Sequence, residues 1–340
     1  MDADDEGLIL AGDVGGTNAR FAAFRPEGPP GAPVWERTVA SRSGGSFLDL
    51  LRAIRAEIPG RVVAASFGVA GPVRRGVCRA TNLPFVIEAA EIADELSLGC
   101  VGLLNDLEAN AWGVAVLGAG DLESLQAGTP DPDGATALVS AGTGLGEAGT
   151  IVLDGVRRPF ACEGGHSSFS PTSEREVRLW RRLAASHSHV SWERVLSGPG
   201  LVEVYEFVRD EEGASDAGPV AESRGTGGHG AAIVAAATDG TSPVADRALD
   251  FFAALYGSEA GNTALEFLAT GGVYLGGGLA PRLLRWLRRP AFLEGFRAKG
   301  RMRPVLESIP VHVILEPRTA LFGAARQAMR QTHRSNGEPA

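Results

Sequence analysis

Twice along this chain an apolar strand runs into a glycine-rich turn and comes back as a second strand. The first copy is Leu8-Ile-Leu-Ala-Gly12-Asp13-Val-Gly15-Gly16-Thr17-Asn18-Ala-Arg20, continued by an apolar run to Phe24. The second is Ala137-Leu-Val-Ser-Ala-Gly142-Thr143-Gly144-Leu-Gly146, with residues 149–153 returning. This repeat constrains the fold more than any single motif. It implies a duplicated α/β architecture with two hairpin tips facing a shared cleft. At the first tip, glycine lets another group approach the backbone closely. Backbone N–H groups, the Thr17 hydroxyl and the Asp13 carboxylate can hold a phosphate and a hydrated metal ion there. The same residues also suit an ordinary hairpin, and a chain with 46 glycines can repeat such turns by chance.

Bulk properties exclude several classes. The 340 residues suffice for two domains, and 44% hydrophobic with 21% charged residues describes a globular chain. A net charge of −9 argues against a nucleic-acid partner, since a phosphate backbone calls for a basic face. No apolar stretch reaches the roughly 18 residues a membrane span needs, and no secretory leader is evident. Cys78, Cys100 and Cys162 are scattered, which fits a reducing cytoplasm and no zinc site. Lys299 is the only lysine, and its Ala-Lys-Gly-Arg setting fits neither a P-loop nor the strand lysine of protein kinases. If the chain binds ATP, a metal ion, backbone amides and Arg20 are the groups left to neutralise phosphate.

Hydrophobic periodicity predicts strands at residues 8–11, 20–24 and 34–40, a helix at 47–57, and a buried strand at 62–69. A helix at 88–96, a strand at 101–104 and a helix at 106–117 complete a mixed α/β unit. Further on, the pattern predicts helices at 174–186 and within 192–208, then a flexible surface loop over 211–230. A long helix at 244–268 is expected to break or kink near Gly257 or Gly261. Strands at 270–281 and 311–315 and a helix at 320–330 close the chain.

Two polar constellations stand out. Asn105-Asp106 lies where a buried strand gives way to a helix, a place suited to ligand contact. Asp106 can take a hydroxyl proton there, with Asn105 holding the same hydroxyl region, or it can simply cap the helix. Glu163-Gly-Gly-His166 sets a carboxylate and an imidazole around two glycines, able to grip vicinal hydroxyls or to serve structure alone. Glu193 is a third candidate, or else a carboxylate favoured by a helix dipole. Gly271-Gly272 and Gly276-Gly277-Gly278 leave room for an adenine ring against the backbone. None of these runs has the dinucleotide Gly-x-Gly-x-x-Gly spacing before a helix.

In order, the chain carries Gly12-Asp-Val-Gly-Gly-Thr-Asn-Ala-Arg20, Gly68-Val-Ala-Gly-Pro72, Thr81-Asn82, Leu104-Asn-Asp-Leu-Glu-Ala109 and Gly142-Thr-Gly-Leu-Gly146. Glu163-Gly-Gly-His166, Glu193-Arg-Val-Leu-Ser-Gly-Pro-Gly200, Gly271-Gly-Val-Tyr-Leu-Gly-Gly-Gly278 and Lys299-Gly-Arg301 follow. This ordered set resembles the bacterial glucokinases of the non-repressor type, in the superfamily joining sugar kinases, actin and heat-shock ATPases. The cysteine-rich zinc motif of repressor-like sugar kinases is missing. The resemblance implies a two-domain ribonuclease H-like, actin-like ATPase fold with an interdomain cleft. It implies a smaller domain of residues 1–110 plus about 318–340, and a larger one of 111–317.

The resemblance also implies ATP- and Mg²⁺-dependent phosphorylation of D-glucose by a cytoplasmic homodimer. Asn105, Asp106, Glu163, His166 and Glu193 would hold the sugar, with Asp106 as general base. Asp13 would position Mg²⁺ through water. Gly12, Asp13, Gly15, Gly16, Thr17, Asn18, Gly142, Thr143, Gly144, Gly276, Gly277 and Gly278 would line the nucleotide. Three departures accompany it: Phe85 where Trp is common, Ser167-Ser168 where Val-Asp is frequent, and Ala320 where a glycine usually stands. The first two could alter sugar preference. Competing expectations are a kinase for another hexose such as mannose or fructose, a non-catalytic glucose sensor, and an ATPase that uses no sugar.

Overall fold

The structure, a computed structural model, describes residues 7–41, 45–79, 83 and 85–335. Thr81, Asn82 and Pro84 lie outside the described residues. Packing divides the chain into two units.

The first unit takes the described residues up to Asp121, then Val152–Ala161 and the residues from Glu316. Strand β1 (Leu8–Val14) pairs antiparallel with β2 (Asn18–Phe24), which pairs antiparallel with β3 (Trp35–Ala40). On its other side β1 runs parallel to β4 (Val62–Val69). Short strands β5 (Val73–Arg74), β6 (Val77–Cys78) and β7 (Ile87–Glu88) form a separate small sheet, and β8 (Gly102–Asn105) runs parallel to β4. The main sheet is therefore mixed, in the order β3-β2-β1-β4-β8.

Alternation along β1 decides what each face does. Leu8 and Leu10 join a core with Phe21, Phe67 and helix α1 (Phe47–Glu57). Ile9 and Ala11 meet Leu321, Phe322 and Ala325 of the C-terminal helix (Thr319–Ser335). Helix α1 forms where Phe47, Leu50, Leu51 and Ile54 recur at helical spacing, behind a Ser46–Asp49 capping box. Helices α2 (Ala89–Leu96) and α3 (Asp106–Val114) follow.

The second unit comprises Leu122–Ile151 and Cys162–Leu315. Its strands are β9 (Leu122–Gln126), β10 (Thr136–Ala141), β11 (Leu145–Leu153), β13 (Gly272–Gly276) and β14 (Val311–Ile314), in the sheet order β11-β10-β13-β14-β9, while β12 (Val156–Ala161) falls in the first unit. The β10–β11 hairpin is antiparallel, and β13 and β14 continue parallel to β10. That is the arrangement of β2, β1, β4 and β8 again. The helices are α4 (Glu174–Ala184), α5 (Gly198–Glu211), α6 (Gly218–Glu222), α7 (His229–Thr238), α8 (Pro243–Glu266), α9 (Leu284–Leu287), α10 (Pro290–Arg297) and α11 (Arg303–Ser308).

Three local expectations change. Helix α8 runs unbroken for 24 residues. Its glycines serve packing instead of a kink: a Cβ on Gly257 would lie 1.9 Å from the Phe292 carbonyl oxygen of α10, and one on Gly261 would lie 2.4 Å from that of Phe296. Residues 211–230 are not a loose loop. They contain α6 and Asp216, whose enclosed side chain accepts hydrogen bonds from Tyr205 Oη (2.7 Å) and Arg209 Nη1 (3.2 Å) and pairs with Arg224. Strand β1 continues past Ala11, so Asp13 sits within it, opposite Arg20.

Candidate functional site

In the first unit, the ends of β1 and β8 carry the predicted polar groups. Asp13 follows Ile9 and Ala11 on one face of β1 and is half-buried. Burial first, and then the neighbouring Asp106 carboxylate, push its pKa up to about 6 against the opposing pull of Arg20. Asp13 and Asp106 therefore share one electrostatic environment. Arg20 is only partly directed at Asp13, since its guanidinium lies 3.8 Å from Glu36 and donates to the Pro317 carbonyl at 3.4 Å.

Gly12 has a different role from its neighbours. A Cβ there would lie 2.5 Å from Phe67 Cδ1, so the glycine admits the Phe67 ring to the core. The Gly15 amide closes the hairpin by donating to the Asn18 carbonyl at 3.0 Å. Gly16 is half-buried, and Thr17 and Asn18 are the exposed members of the tip. Ser41, at the end of β3, braces the turn: its Oγ donates to the Gly15 carbonyl at 2.6 Å and its amide to the Thr17 carbonyl at 2.9 Å.

At the end of β8 the capping question resolves onto Asn105. Its Oδ1 accepts from the Glu108 amide at 2.6 Å, as the N-cap of α3. Asp106 is the first helical residue, and its Oδ1 accepts from the Leu107 amide at 3.0 Å. Both side chains are half-buried at a helix N-terminus, where the backbone favours a negative charge.

In the second unit, Glu163, His166 and Glu193 come together. His166 Nε2 lies 3.9 Å from Glu163 Oε2, and its Nδ1 lies 4.0 Å from Glu193 Oε1. Glu163 and His166 are exposed, whereas Glu193 is half-buried. The other Glu193 oxygen, Oε2, accepts from the Leu145 amide at 3.1 Å. Glu193 thus ties the polar cluster to the 142–144 turn. A Cβ on Gly144 would come within 2.4 Å of that same oxygen. His189 supports the 163–166 turn through Nε2, 3.0 Å from the His166 carbonyl.

The two glycine runs meet because β10 and β13 are parallel neighbours. Gly142 donates to the Gly144 carbonyl and accepts from the Gly198 amide at the start of α5, both at 2.8 Å. Thr143 is exposed. Gly276 ends β13. Gly277 has φ +77°, and a Cβ on it would lie 2.3 Å from the Ala141 carbonyl oxygen. A Cβ on Gly278 would face open space. The outcome is a glycine-lined ledge at the C-terminal ends of two parallel strands, where ligands gather in α/β folds.

Two of the departures are explained by packing. Phe85 packs against Phe47, with ring centroids 5.7 Å apart. Ala320 is buried with Leu104 and Ala109. Ser167 and Ser168 are exposed beside the 163–166 turn. Sequence reasoning missed Ser41 and His189. Single polar residues outside a glycine motif carry no local signal, and only the folded contacts reveal them.

A family model described as Glucokinase matches residues 10–331. The chain is 38% identical to a glucokinase of Nostoc sp., over 95% of this chain and 99% of that protein. Among solved structures, the glucokinase of an Antarctic psychrotroph superposes with TM-score 0.84 at 30% identity, covering 95% of this chain and 99% of that one. A ROK family glucokinase from Streptomyces griseus, solved with glucose and AMPPNP, gives TM-score 0.61 at 24% identity over 96% and 100% of the two chains. At that identity the likeness concerns the fold, which is the actin-like ATPase fold of these sugar kinases.

Proposed function

The chain belongs to the glucokinase family, and on that premise we propose that it transfers the terminal phosphoryl group of ATP to the 6-hydroxyl of D-glucose. The observation that carries this reading is the end-to-end likeness to glucokinases, 38% identity over 95% of the chain. The residue roles below belong to the same proposal.

Asp106 is the general base. Its carboxylate is oriented by the Leu107 amide and takes the proton of the attacking hydroxyl. Asn105, Glu163, His166 and Glu193 hold the sugar. The 142–144 and 276–278 turns receive the nucleotide, with open space where a Cβ on Gly278 would stand.

The residues fit a magnesium ion. Asp13 is a carboxylate held against burial and against the Asp106 charge, and a cation relieves both. Among the described residues no group of three or more acidic, His or Cys side chains is placed to hold a metal. One carboxylate acting through water, with the nucleotide phosphates as further ligands, matches magnesium's habits. When bound, the ion neutralises charge on the phosphates. Asp13 orients it, and Asp106 handles the proton.

The reading also carries a cytoplasmic homodimer. No described helix is long and apolar enough to cross a membrane. Asp106→Ala tests the base assignment in a coupled assay with glucose, ATP and Mg²⁺. The expected loss in kcat is roughly 10²–10⁴-fold. A rate within a few-fold of the parent would remove Asp106 from that role. Ser167 and Ser168, exposed beside His166, are the feature favouring a second reading, another hexose as substrate. Comparing kcat/KM for glucose, mannose and fructose decides between them.

A further inference from the structure

Behind the 163–166 turn lies a buried polar cluster that the phosphoryl-transfer chemistry does not use. Glu147 of β11 is 1% exposed and Glu259 of α8 is 3% exposed. Their carboxyl groups are neighbours in this buried site, close enough for each to act on the other's charge, and two such groups can share one proton. Glu259 Oε2 accepts from Asn262 Nδ2 at 2.7 Å. Asn262 Oδ1 in turn accepts from Nζ of Lys299, the chain's only lysine, at 2.6 Å, and Lys299 also donates to the Ser258 carbonyl at 2.8 Å. With one proton between them, the carboxyl pair would carry a single negative charge, facing Lys299 through Asn262.

The cluster presses directly on the turn. A Cβ on Gly164 would lie 1.9 Å from Glu147 Oε2 and 3.5 Å from Cys162 Sγ, so the Gly164 backbone rests on the carboxyl group. Among the described residues, Glu147 Oε1 has no hydrogen-bond partner. We infer that Glu147, sharing one proton with Glu259, is a positioning residue that holds the 163–166 turn for sugar binding. This rests on the proposed role of that turn. Loss of the shared proton puts two charges side by side in a buried site. The pair then repels, Gly164 moves, and glucose affinity falls while the ATP side is untouched.

The surroundings agree on direction. Burial first pushes Glu147 up to about 7, and burial with the Glu147 charge pushes Glu259 up to about 9. From the same helix, Glu266 adds negative charge to both, while Tyr256, whose hydroxyl donates to the Val139 carbonyl, feels Glu147. On the turn itself, burial pushes the Cys162 thiol up, and the charges of Glu147, Glu266 and Glu163 add to it. Lys299 is the facing cation, lowered by burial against the pull of Glu259, of Glu176 on α4 and of Glu266.

The test compares the parent with Glu147→Gln, which keeps the size and a hydrogen bond but cannot ionise. Amide exchange over residues 162–168 is measured without sugar at about pH 6.5 and about pH 9.5 and corrected for intrinsic rates. KM for glucose and for ATP is measured over the same range. In the parent, exchange of the turn and KM for glucose should each rise roughly tenfold toward the alkaline end, with KM for ATP flat. In Glu147→Gln both rises should vanish. A parent with flat exchange and flat KM overturns the inference, and so does a Glu147→Gln variant that rises like the parent. Should that variant not fold, the parent's profile alone still decides. If no glucose is phosphorylated at any pH, the sugar reading fails, and the exchange measurement still judges the pair.

Discussion

At the residue scale, Asp13 and Asp106 show how the fold separates two carboxylates of similar chemistry. Asp106 sits at a helix N-terminus with one oxygen held by the Leu107 amide. Asp13 sits in a strand, half-buried, with its pKa pushed up to about 6 by burial, then by Asp106, against Arg20. In the proposed function, Asp106 accepts a proton and Asp13 meets a cation. Asp13→Asn should lower kcat by roughly 10²–10³-fold, the scale of losing one preorganised electrostatic contact. Without nucleotide the same variant should be more stable than the parent by about 1–3 kcal/mol, because a strained charge is gone. Thermal melts and turnover on the same preparation check both signs. Unchanged turnover, or a lower melting temperature, would contradict the assignment.

At the element scale, the glycines divide by what surrounds them. In an isolated helix Gly257→Ala would help by roughly 1 kcal/mol. Here the new methyl would fall 1.9 Å from a backbone oxygen of α10, which cannot rotate away. The variant should instead destabilise the protein by about 1–3 kcal/mol, read by chemical denaturation; a stabilised variant would show that α8 and α10 pack less closely. Gly277→Ala, at φ +77°, should be destabilising and should also raise KM for ATP, with KM for glucose much less affected.

These cases mark the limit of reading the sequence. Helix α1 was legible because Phe47, Leu50, Leu51 and Ile54 recur at 3.6-residue spacing. The strand–turn–strand repeat was legible because glycine punctuates it. Strand β12 was not, since Val156-Arg-Arg-Pro-Phe-Ala161 has charges and a proline in place of clean alternation. Gly257 and Gly261 read as helix breakers because only the distant backbone of α10 explains them. The polar pairs Asn105-Asp106 and Glu163…His166 were visible as motifs. Glu147 was not, because its partner Glu259 is over a hundred positions away and buried polarity has no local signature.

At the scale of the whole molecule, pH acts on stability from two directions. Asp216, with a side chain 4% exposed, is pushed up by burial, but hydrogen bonds from Tyr205 and Arg224 outweigh this and leave it lowered from 3.8. Its contribution is present above that value and is lost as pH falls through the lower folded-state pKa. Asp216→Ala should cost about 2–4 kcal/mol near neutral pH and less in acid, and should open residues 211–230 to limited proteolysis. Glu147 and Glu259 act in the opposite sense. Their folded pKa values, about 7 and about 9, lie above the ordinary 4.5. Their contribution is therefore full below 4.5 and fades as pH rises through about 7 and then about 9.

Product stoichiometry decides whether this chain is a glucose kinase using ATP. ATP, Mg²⁺ and glucose are incubated with the protein, and ADP and phosphorylated sugar are quantified together, with the phosphate position read by ³¹P NMR. One ADP should form for each glucose 6-phosphate, with little ADP when glucose is left out. ADP formed at the same rate with and without glucose, or no phosphorylated sugar at all, would contradict it.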